Sequence, residues 1–414
     1  MIALSCASKV KPKEPDPTDL EIEADPVCFP FATGDAAMAL DVAGNYKIAA
    51  DAGHKLRAAL ATSRDLVALA KSIENELKTA CTALDAALGA TKKEKSADGL
   101  CNAAVAAMNS SRAKLGAKAK YRVIARAPTC GTAPAVAAEC AAACDGPVDA
   151  KVTCEGTLVG TCGAACEGPC ERKAAATCDG ECVGSCEGGA MSGACAGVCK
   201  GTCDGKPSKG ACVGACEGKC DAMSRGPCRG KCNGVCTPKA AGACAGTCAG
   251  KCAADMADGK CAGEVSSSAS ADCKSRCAAV AMSKMECHGG RVGLAIAGVP
   301  AANAKAAAHY RAAIEGNMGP IHKIASLGDR TKRVAAEGRT EIEGARGNLE
   351  AIAHTTRDRA HADNVTKAMT SCFADALKSG TEAADAIKAH VEAAESALGA
   401  VAATPAAAPP ATSR

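Results

Sequence analysis

The sequence predicts an α+β protein in which two Ala-rich helical zones flank a module built from Cys and Gly. Two patterns predict this class. On both sides of the centre, apolar residues recur at intervals of three and four, and within the centre Cys alternates with Gly at every second position. The composition agrees, because the 414 residues include 99 Ala, 43 Gly and 31 Cys but no Trp, three Tyr and three Phe. With so few large apolar side chains, we expect disulfides to replace much of an ordinary core.

Composition divides the chain into six segments. They are a signal-peptide remnant at 1–6, a flexible tether at 7–34, Ala-rich helices at 35–120, the Cys/Gly repeat module with bracketing short strands at 121–298, Ala-rich helices at 299–400 and a disordered Ala/Pro tail at 401–414. The net charge of +4 is too small to attract nucleic acid, so we expect no nucleic-acid partner. The sequence contains no run of 18 apolar residues, so it predicts no membrane-spanning helix.

The first six residues resemble the end of a bacterial lipoprotein signal peptide, in which a small residue, here Ser5, precedes a Cys that is lipidated after cleavage. Ala3 stands where that family prefers Leu, and the charged and apolar segments upstream are missing, which a start codon assigned too late would explain. The alternative is an ordinary Cys near the N-terminus of a cytosolic chain. We expect Cys6 to carry a lipid that is the only membrane attachment, and Ala7 favours the outer membrane over the inner.

The helical zones show narrow apolar stripes. Gly89 is a predicted helix end, and Ser96 is a predicted N-cap of the next helix. Three glycines, Gly338, Gly344 and Gly347, predict a break or bend within 331–348. The stripes are Ile73, Leu77, Cys81, Leu84 and Leu88; Cys101, Val105, Met108 and Leu115; and Val365, Met369, Cys372, Ala376, Ile387, Val391, Ala394 and Leu398.

We interpret these zones as an antiparallel helical bundle or coiled coil formed by the N- and C-terminal parts of the chain together. Two β-prone runs, at 121–125 and 291–296, bracket the repeat module. If they pair, they bring the two helical zones together.

The central module repeats every 16 or 17 residues. Because Cys and Gly occupy every second position, they would lie together on one face of a strand. We therefore predict short extended segments that are arranged as a meander or a solenoid. The predicted turns are at 206–209 and 237–240. Each triplet has an odd number of sulfurs, so bridges must run between neighbouring units, and whole units should be separable modules. The triplets are Cys162, Cys166 and Cys170; Cys178, Cys182 and Cys186; Cys195, Cys199 and Cys203; Cys212, Cys216 and Cys220; Cys228, Cys232 and Cys236; and Cys244, Cys248 and Cys252.

Four further cysteines are disulfide candidates outside the centre: Cys28, Cys81, Cys101 and Cys372. If Cys6 carries lipid, this set and the cysteines from Cys130 to Cys287 are both even in number. We therefore expect two bridges among the four, with three connectivities open.

The Cys-x-Gly-x-Cys repeats between Ala-rich helical flanks resemble a group of uncharacterised, exported bacterial lipoproteins over residues 120–400. The resemblance implies export and carries no known activity. It agrees with a protein that is anchored to the outer membrane, periplasmic or at the cell surface.

Catalytic motifs are absent from the sequence, so we predict no enzyme and no cofactor. The predicted function is a structural or interaction protein of the bacterial cell envelope, with a possible protein partner there. The alternative is a thiol-rich protein that sequesters metal. Its best candidate ligands for zinc are Cys273, Cys277, Cys287 and His288. Spacing of cysteines by four favours disulfides, because dedicated metal clusters use cysteines two or three apart.

Overall fold

The computed structural model describes residues 44, 46–90, 94–145, 152–267, 271–370 and 373–402. The predicted lipidation site Cys6, the tether at 7–34, Cys28 and Cys372 lie outside these residues. The described part is α+β, as predicted, with helices at both ends of the chain and strands in the Cys-rich centre.

Eight α-helices form in the described ranges, and none is long and apolar enough to cross a membrane. They are α1 (Ala50–Ala87), α2 (Ala97–Ala113), α3 (Pro134–Asp145), α4 (Ala271–Ser283), α5 (Ala304–Ser326), α6 (Gly328–Thr355), α7 (Arg359–Thr370) and α8 (Phe373–Ala402). A short 3₁₀ helix, Ala301–Asn303, precedes α5.

The ends of the first two helices follow the local sequence. Gly89 adopts a φ of 77°, which a glycine tolerates and which ends α1. Ser96 is the N-cap of α2, and its hydroxyl accepts a hydrogen bond from the Gly99 amide at 3.1 Å. A disulfide between Cys81 and Cys101 then joins the buried faces of the two helices.

Helix α1 is the centre of the bundle. It packs against α2, α4, α5, α6 and α8, so both helical zones share one hydrophobic core. The small Ala side chains, which supply 11 of the 38 residues of α1, let several helices approach it at once. A two-helix coiled coil is therefore not confirmed, because α1 has several partners where a coiled coil has one repeated seam.

The break or bend predicted within 331–348 is wrong, because helix α6 runs unbroken from Gly328 to Thr355. Gly338 lies inside it where α6 meets α1, and an added Cβ there would come within 2.9 Å of Leu66 Cδ1. The glycine therefore serves helix–helix contact, and this tertiary contact outweighs its poor helix propensity. The break between helices lies instead at Leu327, between α5 and α6.

A buried arginine ties the bundle to its first strand. Arg112 is 1% exposed and has no carboxylate partner among the described residues. Its Nη1 donates to the Ala400 carbonyl near the end of α8, and its guanidinium lies 5.2 Å from the centre of the Tyr121 ring. The negative end of the α8 dipole and the π face of Tyr121 together offset the cost of burying this charge.

The described strands number nineteen. They are β1 (Lys120–Arg126), β2 (Thr129–Gly131), β3 (Val152–Glu155), β4 (Leu158–Cys162), β5 (Ala165–Glu167), β6 (Cys170–Arg172), β7 (Ala176–Thr177), β8 (Gly180–Cys195), β9 (Cys199–Cys203), β10 (Lys206–Ser208), β11 (Ala215–Cys220), β12 (Ser224–Pro238), β13 (Gly242–Ala243), β14 (Gly246–Ala249), β15 (Lys251–Cys252), β16 (Ala257–Cys261), β17 (Glu264–Ser267), β18 (Glu286–His288) and β19 (Arg291–Ala297).

The strand pairs between β1 and β19 are nested, so that each pair lies inside the previous one in the sequence. Strand β1 pairs antiparallel with β19, β2 with β18, and β3 with β17, while α3 packs against α4 between the second and third pairs. The chain from 120 to 297 therefore leaves the helical body, turns back and returns along its own path. The pairing of β1 with β19 is the one that the bracketing β-prone runs suggested.

We predict opposite effects for two glycines of α8. An added Cβ at Gly380 would lie 2.4 Å from Ser63 Oγ on α1, whereas one at Gly399 would meet no atom within 4 Å. Gly380→Ala should lower the free energy of unfolding by about 1–3 kcal/mol through overpacking. Gly399→Ala should raise it by up to about 1 kcal/mol, because Ala favours the helix. Urea titrations followed by far-ultraviolet circular dichroism measure both, and equal effects would contradict the close contact.

Candidate functional site

The Cys-rich centre is one structure, which we call the ladder, made of residues 152–267. Its first arm runs from 152 to 203 and its second from 212 to 267, with the tip between them. Asp204 and Gly205 form a two-residue turn with φ values of 50° and 75°, and Cys203 pairs with Lys206 across it. Positive φ at both central residues is the geometry of a tight hairpin turn. The turn predicted at 206–209 is therefore wrong, since 206–208 is strand β10.

Each arm of the ladder is hydrogen-bonded to the other arm along both of its edges. Gly184 in β8 faces Gly234 on one side and Ser224 on the other. Cys216 in β11 likewise faces Cys203 and Gly193. The sheet order, β10-β9-β11-β8-β12-β6-β14-β4-β16, alternates between the arms from β9 to β16. The two arms therefore wind around each other as an antiparallel pair, instead of lying side by side in a flat hairpin.

Disulfides cross the interior of this wound pair, and every bridge straddles the tip. The tip bridge, Cys203–Cys212, spans 9 residues, and Cys154–Cys261 at the base spans 107. Between them lie Cys199–Cys216, Cys195–Cys220, Cys186–Cys228, Cys182–Cys232, Cys178–Cys236, Cys170–Cys244, Cys166–Cys248 and Cys162–Cys252.

The alternation of Cys and Gly explains how the arms can come so close. Cysteines fill the interior and nearly all are buried, whereas the side chains between them face outwards. An added Cβ at Gly184 would lie 2.2 Å from the Asn233 carbonyl oxygen, and one at Gly234 would lie 2.4 Å from that of Val183. Any larger residue would push the arms apart.

This geometry corrects the predicted arrangement of the module. It is not a meander, because strands distant in sequence pair along both edges, and a solenoid is not confirmed. Only the triplets that begin at Cys195 and Cys212 bond as neighbouring units, and the others pair across greater distances. The alternation of Cys and Gly predicted the strands correctly, but a local pattern cannot predict which strand pairs with which.

Beyond the base of the ladder, further disulfides continue the nested order. Cys140 bonds Cys277 and joins α3 to α4, and Cys130 bonds Cys287 and joins β2 to β18. Cys273 is also disulfide-bonded, and His288 is exposed. The alternative zinc set is therefore not brought together as free thiolates. The described residues contain no group of three His, Cys, Asp or Glu side chains that could hold a metal ion.

The ladder contacts strand β1 near its tip and in its middle, and it contacts helix α6 at its base. At the tip, Arg122 Nη1 donates to the Val213 carbonyl oxygen at 2.9 Å. In the middle, Arg126 forms an ion pair with Glu171, and both side chains are largely buried. Nearby, burial lowers the pKa of His322. At the base, Arg333 pairs with Glu264.

Comparison with protein-family models, curated proteins and solved structures finds no match for this chain. The resemblance to exported bacterial lipoproteins therefore stays a prediction. Disulfides in such number nevertheless indicate an oxidising compartment outside the cytosol, where thiols are not kept reduced.

Two sequence signals could have revealed the ladder. The first is Asp204-Gly205, because Asp-Gly between strands is a strong signal for a tight hairpin. The second is mirror symmetry about position 208, just after this turn: Cys130, Cys140 and Cys154 lie as far before it, to within one residue, as Cys287, Cys277 and Cys261 lie after it. A regular array of triplets is symmetric in any case, so only these outlying cysteines distinguish a folded-back chain from a linear repeat.

The structure changes what a deletion should do. Removal of 212–227, one predicted unit, would leave Cys195, Cys199 and Cys203 without their partners. Removal of 195–220 deletes both triplets of the tip block, which we define as Cys195–Cys203 and Cys212–Cys220 with the three bridges between them, and it leaves the other bridges of the ladder intact. We expect native pairing of the remaining cysteines only in the second variant, as seen by peptide mapping without reduction. Equal scrambling in both variants would contradict the nested order.

The two arms also differ in charge. Glu187 in the first arm faces Lys231 in the second, and Glu167 faces Lys251. Glu181 forms an ion pair with Arg225 at 3.4 Å. Opposite charges across two strands contribute about 0.2–1 kcal/mol per pair, and several together favour one register over a slip by a whole unit. The charges can act before any disulfide closes.

We predict that charge affects the yield of native disulfides during oxidative refolding. Lys231→Glu places like charges opposite each other and should lower the yield, and adding Glu187→Lys should restore it. Lys200 faces Lys219 in the native ladder, so Lys200→Glu should raise the yield. Reversed-phase chromatography of refolded protein measures the native fraction. Yields that do not depend on the sign of these charges would refute a role of charge in forming the native disulfides.

Proposed function

We propose that the protein is a non-enzymatic structural or interaction protein of the bacterial cell envelope. The observation that carries this proposal is the nested series of disulfides, which makes the ladder a covalently fixed surface on a helical body. A chain built this way depends on an oxidising environment. We propose a lipid on Cys6 as its attachment to the outer membrane, with the segment at 7–34 as the spacer.

The outer surface of the ladder supports an interaction role. Its outward side chains are mostly polar, and Leu158 is the one large apolar residue exposed among those described. The free edge at the tip is β10, where Lys206 and Pro207 oppose the addition of a further strand. The ladder therefore presents fixed polar groups, and its edge at the tip resists pairing with another chain. We propose a protein of the envelope as its partner.

We expect protein isolated from its native host to fractionate with the outer membrane. Denatured without reductant, it should show essentially no free thiol and no stoichiometric zinc or copper, because the sulfurs are bonded to one another. Thiol titration and metal analysis of the same sample measure this. Many titratable thiols together with several metal ions per chain would favour the alternative function, metal sequestration.

A control variant separates anchoring from folding. Cys6→Ser should abolish labelling by a fatty-acid analogue and release the protein from the membrane, while the titration still finds no free thiol. A protein that stays unlabelled and cytosolic in its unmutated form would refute the envelope proposal.

A further inference from the structure

A small cavity lies where the base of the ladder meets the helical body. It is enclosed by β17, α4 and α6 and has a volume of about 130 Å³. Its floor is apolar, and Val265, Met282 and Val334 are buried there. Its rim is charged and exposed, with Lys274 and Arg333 at the surface. An apolar floor beneath a charged rim suits a ligand with one apolar end and one charged end.

Arg330 lines this cavity and lacks a carboxylate partner. It is half-buried, and among the described residues no carboxylate lies within ion-pair distance of it. Its Nη1 makes one long hydrogen bond, 3.4 Å, to the Ala262 carbonyl oxygen. Burial lowers the pKa of Arg330; Glu264 raises it and neighbouring Arg333 lowers it. A cation withdrawn from water without a counter-ion is costly, so an anion bound here would stabilise it.

The other charges around the cavity leave Arg330 available. Arg333 lies one turn along α6 and is already paired with Glu264. Lys274 and Glu337 stand at the opening, and no ion pair joins them. The rim therefore carries three cations against two carboxylates, and the cation that reaches deepest is Arg330.

We propose that this cavity binds an aliphatic carboxylate of about four to six carbons, with its carboxylate on Arg330 and its chain on Val265, Met282 and Val334. The size follows from the volume, because an apolar cavity of about 150 Å³ holds benzene, which has six carbons. Arginine presents paired donors that match a carboxylate. A doubly charged oxyanion such as phosphate would leave the apolar floor uncovered and fits less well. The carboxylate belongs to a small organic acid or to the C-terminus of a peptide.

The test uses the full-length, oxidised protein and isothermal titration calorimetry. The probes are isovalerate, its neutral amide isovaleramide, inorganic phosphate and the tripeptide Ala-Ala-Val with a free carboxylate. We expect isovalerate or the tripeptide to bind at least about tenfold more tightly than isovaleramide, because a charge-assisted hydrogen bond is lost in the amide. Tighter binding of the tripeptide assigns the ligand to a polypeptide terminus, and tighter binding of isovalerate assigns it to a free acid.

Variants locate the site. Arg330→Gln should lower the affinity at least about tenfold. Arg339→Gln is the matched control on α6, since Arg339 is paired with Glu343 and Asp385 away from the cavity, and it should bind as the unmutated protein does. Ala278→Leu fills the cavity and keeps every charge, so it should abolish binding even if Arg330→Gln fails to fold. No binding by either carboxylate probe, or equal loss in the Arg339 variant, would overturn the proposal.

Discussion

Covalent closure between the two arms of the ladder is the constraint on which the rest of the structure depends. Within the tip block the bridges span 9, 17 and 25 residues, so each new bridge closes a ring of only about eight residues beyond the last one. Closing such a ring raises the free energy of the unfolded state by about 2.5 kcal/mol, because the chain loses conformational entropy. An isolated loop of about 90 residues would raise it by about 4.6 kcal/mol. The nested bridges are therefore individually modest. Their effect comes from repetition along both arms.

The same closure connects the ladder to the helical body. Cys130–Cys287 joins the two strands that lead into the body, and β1 pairs with β19 beside it. The N- and C-terminal helices are thus held together at the point where the ladder leaves them. This matters because their core is rich in Ala, which buries little apolar area per residue. The helices gain a fixed neighbour, and the ladder gains a surface on which to lie.

The sequence predicts local structure well where local chemistry decides it. The cap at Ser96, the helix end at Gly89 and the extended Cys/Gly segments all follow from nearby residues. It fails where a contact from a distant element decides. Gly338 predicts a break, yet α6 continues because α1 packs against that glycine. The cavity that we assign to a carboxylate also depends on distant parts of the chain, since it forms only where the ladder base meets α4 and α6.

The sequence by itself determined that the protein has few large apolar residues, that helices flank a Cys/Gly module and that sulfur must hold that module together. Only the tertiary structure decided which sulfur bonds which. Cysteines at equal spacing are locally equivalent, so the period allows neighbouring units or distant ones to pair. The choice is made by the turn at Asp204 and Gly205, which folds the chain back, and by glycines that let two backbones wind closely enough for every bridge to close.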